Sequence, residues 1–434
     1  MTSLQAPSRP GAAHRLAALA ADALGGPLPV RLRAWDGSET GPADGPVVVV
    51  RSRRALRRLL WQPGELGLAQ AYVTGELDVE GDLAQGLRAM WSAARERGLR
   101  PPRLTPADRA RALATAVRLG VVGPPPAAPA SQARLRGALH TRARDRAAIS
   151  HHYDLSNEFY ALLLDDTMAY SCGYWTSEDP GARPEAAQRA KLELICRKLA
   201  LRPGSRLLDI GCGWGSLTLH AAQRHEARVT AVTLSREQAA HVRDRVRERG
   251  LTDRVEVVCQ DYRDIAGGAH DAVATVEMGE HVGDAEYPAF TSALHRLVRP
   301  GGRVLVQQMS RGRNAPGGGP FIEAYIAPDM HMRPLGETTG MLEEAGLEVR
   351  HVESMREHYA RTIGAWHRTL EDDRESFVRL VGEETARVWR LYLVGGALAF
   401  EEGRMGVDQI LAVRPGPGGD SGLPTAAPDW YEGL

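Results

Sequence analysis

Between residues 206 and 308 the chain alternates short apolar runs with longer amphipathic stretches. Arg206–Ile210 (RLLDI), Arg228–Thr233 (RVTAVT), Arg254–Cys259 (RVEVVC), Asp271–Glu277 (DAVATVE) and Arg303–Gln308 (RVLVQQ) are rich in branched residues and read as strands. Helical stretches such as Arg236–Arg249 and Tyr287–Val298 separate them. Alternation at this spacing predicts an α/β fold, a parallel sheet covered on both faces. Leu347–Glu353 and Val407–Val413 supply a final antiparallel pair.

Ahead of this region the pattern is looser. Residues 1–12 read as a tail, and Val47–Arg51 as a short strand after the turn-forming Gly45-Pro46. Arg54–Trp61 and Leu83–Arg97 read as helices, with Gly64–Asp78 (GELGLAQAYVTGELD) between them. The segment from Gly123 to Ser131 (GPPPAAPAS) can neither continue a helix nor pair in a sheet. The expected division is a smaller α+β domain over 1–122, associated with lipid or membrane, a Pro/Ala-rich linker over 123–133, and a second domain over 134–434.

At 434 residues, 43% hydrophobic and 25% charged, the chain has the composition of a folded protein of about two domains. Its formal charge of +0 conceals an asymmetry, because residues 1–145 hold 21 Arg against 12 Asp and Glu. The run Arg51, Arg53, Arg54, Arg57, Arg58 is the densest part. It suits anionic headgroups, at ~1 kcal/mol per basic residue near the surface, and equally a solvated helix face. The cysteines Cys172, Cys196, Cys212 and Cys259 form no CxxC pair and no His/Cys cluster at metal spacing, so no metal is expected. Leu16–Leu24 is too short for a signal sequence, and no stretch nears the ~18–20 apolar residues of a membrane span. The expectation is a cytoplasmic protein whose contact with the inner face of the membrane is peripheral. No nucleic-acid recognition motif accompanies the arginines.

The candidate chemistry starts at the strand Leu207–Ile210, which runs directly into Gly211-Cys212-Gly213-Trp214-Gly215, with a helix from about Ser216. Glycines permit a tight turn and a close backbone approach, and the helix N-terminus offers unpaired N–H groups. Such a turn alone is weak evidence, since dehydrogenases use a related one. The spacing is GxGxG and no phosphate-cradling lysine follows, which disfavours a dinucleotide site and a P-loop. Asp209 stands where it can hold a ligand ammonium. The second strand ends in Thr233-Leu234-Ser235-Arg236-Glu237-Gln238, and the third in Gln260-Asp261-Tyr262-Arg263-Asp264. Ligands of open α/β sheets bind beyond the carboxyl ends of the strands, so three polar ends converge on one crevice. That combination points to S-adenosylmethionine.

Three more segments are specific: Ile149–Trp175 (ISHHYDLSNEFYALLLDDTMAYSCGYW), Glu277–Gly283 (EMGEHVG) and Trp389–Phe400 (WRLYLVGGALAF). With the glycine turn and the TLSREQ segment they resemble the cyclopropane-fatty-acyl-phospholipid synthase and mycolic acid methyltransferase family over about 134–415. The chain is most similar to the actinobacterial branch associated with mid-chain methyl-branched fatty acids. The resemblance implies a class I methyltransferase fold, Rossmann-like with a seven-stranded mostly parallel sheet, that transfers a methyl group from S-adenosylmethionine to a cis alkene. By position Tyr170, Ser171, Asp209, Gly211, Gly213, Gly215, Thr233, Ser235, Gln238, Tyr262 and Arg263 match cofactor contacts. Cys172, Glu280 and Tyr359 match residues that hold a bicarbonate ion, the base, beside the methyl. Two departures stand out. Gln307 replaces a histidine that also binds bicarbonate, though its amide can still donate a hydrogen bond. Gly396 replaces a cysteine found in many members, and Tyr325–Met330 departs from a YIFPGG-like segment.

An alkene is a poor nucleophile, so the methyl group must be held close and in line, a positioning effect worth ~7–11 kcal/mol. Attack leaves a carbocation that water would quench and aromatic faces would stabilise. Tyr153, Phe159, Tyr170, Tyr174 and Trp175 are the candidates, with core packing as the alternative for each. His151 and His152 read as a cap or lid element. A base then removes a proton: ring closure gives a cyclopropane, whereas a prior hydride shift gives an exocyclic methylene. The change at Gln307 bears on this partition, and the resemblance to the methyl-branched branch implies the methylene product on an oleoyl phospholipid, with a separate reductase completing a saturated branch and a cyclopropane as the alternative product. An oligomer is permitted. A small-molecule N- or O-methyltransferase and a catalytically idle lipid-binding homologue are the competing readings.

Overall fold

The computed structural model describes residues 10–98, 114, 116–133, 144, 156–266, 270–313, 317–426 and 428–434. His151, His152 and Tyr153 lie outside them. The chain divides into two compact units, one of residues 1–132 with Val381–Leu398, the other of Ala133–Leu380 with Ala399–Leu434. The first break falls within the expected linker. Val381–Leu398 clusters with the first unit instead of the second, because Tyr72 and Leu83 pack against Val394 and Leu398, and Arg387 pairs with Asp78 at 3.1 Å. Gly396 is half-buried in that stretch.

In the first unit, β1 (Arg31–Ala34), β2 (Glu39–Thr40), β3 (Val47–Val50) and β4 (Leu77–Glu80) form a sheet of order β2-β1-β3-β4. The pair β1/β3 is parallel and the other two pairs are antiparallel. Helices α1 (Ala12–Leu24), α2 (Arg53–Trp61), α3 (Glu65–Val73) and α4 (Leu83–Glu96) accompany it. The strands at 31 and 39 were not foreseen, being too short to show a period. In the arginine run Arg51, Arg53 and Arg54 are exposed, Arg57 is half-buried and Arg58 is buried. Arg58 is buried against Glu76 at 2.9 Å, Arg51 pairs with Asp78 at 2.8 Å, Arg54 pairs with Glu76 at 3.3 Å, and Arg57 donates to the Val121 carbonyl.

The second unit is built on seven strands: β5 (Arg206–Ile210), β6 (Arg228–Thr233), β7 (Val255–Cys259), β8 (His270–Val276), β9 (Val298–Ser310), β10 (Glu348–Ser354) and β11 (Gly406–Val413). Their order is β10-β11-β9-β8-β5-β6-β7, parallel from β9 to β7, with β10/β11 and β11/β9 antiparallel. This is the predicted α/β architecture, with the antiparallel pair at one edge. Successive strand residues face opposite layers, as a period of two requires. Leu207 joins a core with α6 (Pro184–Lys198), α7 (Ser216–Arg224) and α8 (Arg236–Glu248), whereas Leu208 and Ile210 join one with α9 (Tyr287–Leu297) and α11 (Leu335–Glu344). Each such leucine contributes about 1.5–3 kcal/mol by leaving water. Two short helices, α5 (Asn157–Leu163) and α10 (Pro320–Tyr325), and two long ones, α12 (Arg356–Asp372) and α13 (Arg374–Glu401, kinked at Gly382), complete the described elements. No helix among the described residues is long and apolar enough to cross a membrane.

Candidate active site

The strands β5, β6 and β8 end side by side, and a cavity opens beyond them. Its lining includes Tyr170, Ser171, Lys191, Asp209, Gly211, Gly213, Trp214, Thr233, Gln238, Asp261, Tyr262, Arg263, Glu277 and His281. The turn after β5 needs its glycines. Gly211 has φ +80°, and a Cβ there would lie 2.8 Å from Met278 Cγ. Asp209 is buried and accepts a hydrogen bond from Thr218 Oγ1 at 2.7 Å. Burial pushes its pKa up to about 6, against the pull of Thr218 and Lys191. A cationic ligand would restore its charge.

Two of the cofactor candidates stand outside the lining. Gly215, at φ +86° with Val242 3.0 Å from its would-be Cβ, opens α7. Ser235 caps α8 by accepting from Gln238 N–H. Both shape the pocket instead of facing it. Thr233 Oγ1 donates to Gln238 Oε1 at 2.8 Å, which fixes the end of β6. Arg263, beside Tyr262, is locked onto Asp261 through Nε at 2.8 Å and Nη2 at 2.6 Å.

Three of the four catalytic candidates, Cys172, Gln307 and Tyr359, surround Glu277, which the sequence marked only as the end of a strand and the start of EMGEHVG. Glu277, directly after β8, lines the pocket, and its carboxylate accepts three hydrogen bonds. Cys172 N–H donates to Oε1 at 2.8 Å, Gln307 Nε2 donates to Oε1 at 2.8 Å, and Tyr359 Oη donates to Oε2 at 2.6 Å. Burial raises the Glu277 pKa, and these bonds with Lys191 oppose the rise. Its backbone is left-handed at φ +53°, as is that of pocket-lining Met168 at +54°. For non-glycine residues this costs of order 1–3 kcal/mol, a strain that concentrates at functional sites.

Cys172 itself contributes only its backbone amide. Its thiol is fully buried against the Gly173 and Met355 carbonyls, and burial raises its pKa well above the usual range. Glu280 does not line the pocket. Its Oε1 accepts from Met309 N–H and its buried Oε2 has no partner. Burial, then the charge of Glu277, pushes the Glu280 pKa up to about 8, so it is mostly protonated at neutral pH. Gln307 faces the site, whereas Gln308 turns to Tyr287 and Thr338 on the opposite face.

Among the described aromatic candidates only Tyr170 lines the cavity. Phe159 packs edge-on to Phe377, Tyr174 stacks on His358, and the Trp175 indole donates to Thr362. Trp214 lines the cavity too, and behind its ring and that of Tyr170 runs a chain of aromatic contacts: Trp214 to Tyr160 at 4.3 Å, Tyr160 to Tyr170 at 5.6 Å, Tyr170 to Trp366 at 5.2 Å, and Trp366 to Tyr359 at 6.2 Å. It runs from the glycine turn to the hydroxyl that holds Glu277. Lys191 is a further unforeseen member, buried with Nζ 2.8 Å from Ser171 Oγ. Its signal was rarity, since Lys191 and Lys198 are the only lysines among 54 basic residues. Both are buried, where a compact ammonium fits and a guanidinium fork does not.

A family profile described as mycolic acid cyclopropane synthetase matches residues 140–410. The chain belongs to that family. A probable fatty acid methyltransferase of Pseudomonas putida is 38% identical over 415 residues, covering 93% of this chain and 96% of that one. The tuberculostearic acid methyltransferase UfaA1 of Mycobacterium tuberculosis is 34% identical, covering 90% and 89%. The mycolic acid cyclopropane synthase CmaA1, solved as a complex with SAH and CTAB, superposes with a TM-score of 0.58 at 30% identity, covering 62% of this chain and 97% of that one. This protein is thus an S-adenosylmethionine-dependent methyltransferase of the fatty-acid and lipid family.

The bicarbonate expectation is another matter. Cys172 N–H, the Gln307 amide and the Tyr359 hydroxyl are all engaged by Glu277, and a further anion would stand beside Glu277 and Glu280. The residues present do not fit that ion.

Proposed function

We propose that this enzyme methylates the cis double bond of an unsaturated acyl chain, in an oleoyl-type phospholipid, with Glu277 as the proton acceptor. Bound in the cavity, S-adenosylmethionine supplies an electrophilic methyl group. The observation that carries the reading is a buried carboxylate, gripped by three donors, on a cavity that Tyr170 and Trp214 also line and that Tyr160 and Trp366 back from behind. N- or O-methylation needs no such rings. A carbocation needs both features, ring faces that stabilise it and a dry base that ends it.

Each of the chain's residues then has a task. Asp209 and the glycine turn orient the donor. Trp214 and Tyr170 exclude water and offer their rings to positive charge, with Tyr160 and Trp366 packed behind them. Glu277 takes one proton from the new methyl group, while Tyr359, Gln307 and Cys172 N–H keep its carboxylate aimed. With the bicarbonate donors occupied by a fixed side chain, we favour a hydride shift before proton loss and hence an exocyclic methylene. The likeness to a tuberculostearic acid methyltransferase supports a branched product. A reductase outside this chain would be needed to saturate it. The substrate lies in a membrane, so the working location is the inner membrane face, reached peripherally. Incubation with S-adenosylmethionine and dioleoyl phosphatidylglycerol vesicles, followed by NMR of the acyl product, tests this. Exocyclic vinyl protons support the proposal; cyclopropane protons alone overturn the branched product, and an unmodified chain overturns the substrate.

A further inference from the structure

Away from the methyl-transfer cavity, two packed helices bring together side chains whose spacing in the sequence gave no sign of a shared site. Glu193 and Cys196 stand three residues apart on one face of α6. His220 lies on α7, and His225 is its C-terminal cap. His220 Nε2 and His225 Nε2 each lie 3.1 Å from Glu193 Oε2. The Cys196 sulfur and one nitrogen of each histidine lie within 4.8 Å of one another. Cys196 is fully buried, while the histidine side chains are 14% and 16% exposed. Glu193, His220 and His225 also line an open cleft, so an ion can reach them from solvent.

We propose that Cys196, His220, His225 and Glu193 form a binding site for one borderline-soft divalent cation of the zinc type. Thiolate, two imidazoles and a carboxylate are a four-donor set that zinc and cobalt accept in tetrahedral geometry. Metal–ligand bonds of about 2.0–2.3 Å place tetrahedral ligand atoms roughly 3.3–3.8 Å apart, so side-chain shifts of ~1 Å bring the Cys196, His220 and His225 donors to that spacing, and Glu193, already on both imidazoles, rotates to supply the fourth. A single carboxylate oxygen already draws both imidazole Nε2 atoms toward one point, the arrangement the ion would take over. Each imidazole shifts its proton to Nδ1, and the Cys196 thiol gives up one proton as the metal–sulfur bond forms. One proton is released per ion.

The consequence is mechanical. Leu192 on α6, together with Ser216 and Leu217 on α7, lines the methyl-donor cavity. An ion tying these helices together would stiffen its floor without touching the reacting groups. The donor set, and not the methyltransferase fold, selects the ion.

The test is a cobalt titration of tag-free, chelator-treated full-length protein. We expect one equivalent of Co2+, visible d–d bands of tetrahedral intensity, a near-ultraviolet thiolate-to-cobalt band, and a higher melting temperature with Zn2+. Cys196→Ser should abolish the thiolate band. His225→Ala, at a half-buried cap position, should weaken binding by more than the ~10–100-fold that loss of a mere outer-shell partner costs. S-adenosylhomocysteine binding by each variant shows that it is folded. Absence of stoichiometric cobalt binding overturns the site, as does binding unchanged in a folded His225→Ala.

Discussion

Replacing Glu277 by glutamine removes a charge and little else. The amide has the carboxylate's shape, and its oxygen can stay where Oε1 accepts from Cys172 N–H and Gln307 Nε2, both at 2.8 Å. Its NH2 then faces Tyr359, whose hydroxyl turns its proton away and accepts. The three contacts survive, so the fold and the adenosine pocket should survive with them. What is lost is the proton acceptor, and a positioned general base contributes about 10²–10⁴-fold, or roughly 3–5 kcal/mol of barrier. Stability should hold or rise. Burial lifts the Glu277 pKa above its unfolded value, so the ionised side chain favours the unfolded state at every pH above that value, and the variant no longer carries this penalty. The assay is transfer of labelled methyl from S-adenosylmethionine to oleoyl phospholipid vesicles, with S-adenosylhomocysteine affinity measured by calorimetry. We expect methyl transfer down by ~10²–10⁴-fold and affinity for this product, which lacks the sulfonium charge, within roughly fivefold. Transfer within threefold of the parent, with normal product binding, would refute the assignment.

Three other outcomes follow from the same geometry. Asp209, with a pKa of about 6 in the empty cavity, must be ionised to hold an ammonium, so the S-adenosylhomocysteine Kd should rise about tenfold per pH unit below pH 6. Calorimetry across pH 5–8 measures this, and Asp209→Asn should flatten the profile at weaker affinity. Glu280 is held protonated up to about pH 8 while its unfolded counterpart ionises near 4.5, so it subtracts stability as pH rises between those values, by ~1.4 kcal/mol per unit, and nothing further above pH 8. Glu280→Gln should therefore gain on the parent in urea denaturation at pH 7.5 and lose that gain at pH 5. Gly211→Ala sets a Cβ 2.8 Å from Met278 in left-handed backbone, and should cost ~1–3 kcal/mol in denaturation together with weaker cofactor binding.

The second unit was open to reading from sequence because its sheet is buried on both faces. Runs such as RLLDI and RVTAVT leave no other stable use for that many branched residues, and their polar ends mark the ligand edge. The first unit was less open. Strands of two and four residues carry too few side chains to show a period, and within an arginine run that is mostly surface nothing marked Arg58 as the one buried against Glu76. In the active site, family positions led to Cys172, Tyr359 and Gln307, yet the atom they surround belongs to Glu277. No spacing reveals that, because Glu277 sits in a left-handed kink directly after β8, which breaks the strand's alternation. The same holds for the aromatic contacts. Phe159 and Tyr160 are neighbours in sequence, and helix geometry alone decides that Tyr160 meets Trp214 while Phe159 meets Phe377.

The central claim is that a base of this protein removes a proton from the methyl group it has just attached to an alkene carbon. Deuterium retention measures that directly: the enzyme is given S-adenosylmethionine carrying a CD3 group and oleoyl phospholipid, and the modified acyl chain is weighed by mass spectrometry. Loss of one deuterium to Glu277 leaves two in the product, as the account predicts. Retention of all three, or label found only on a nitrogen or oxygen atom, would contradict it.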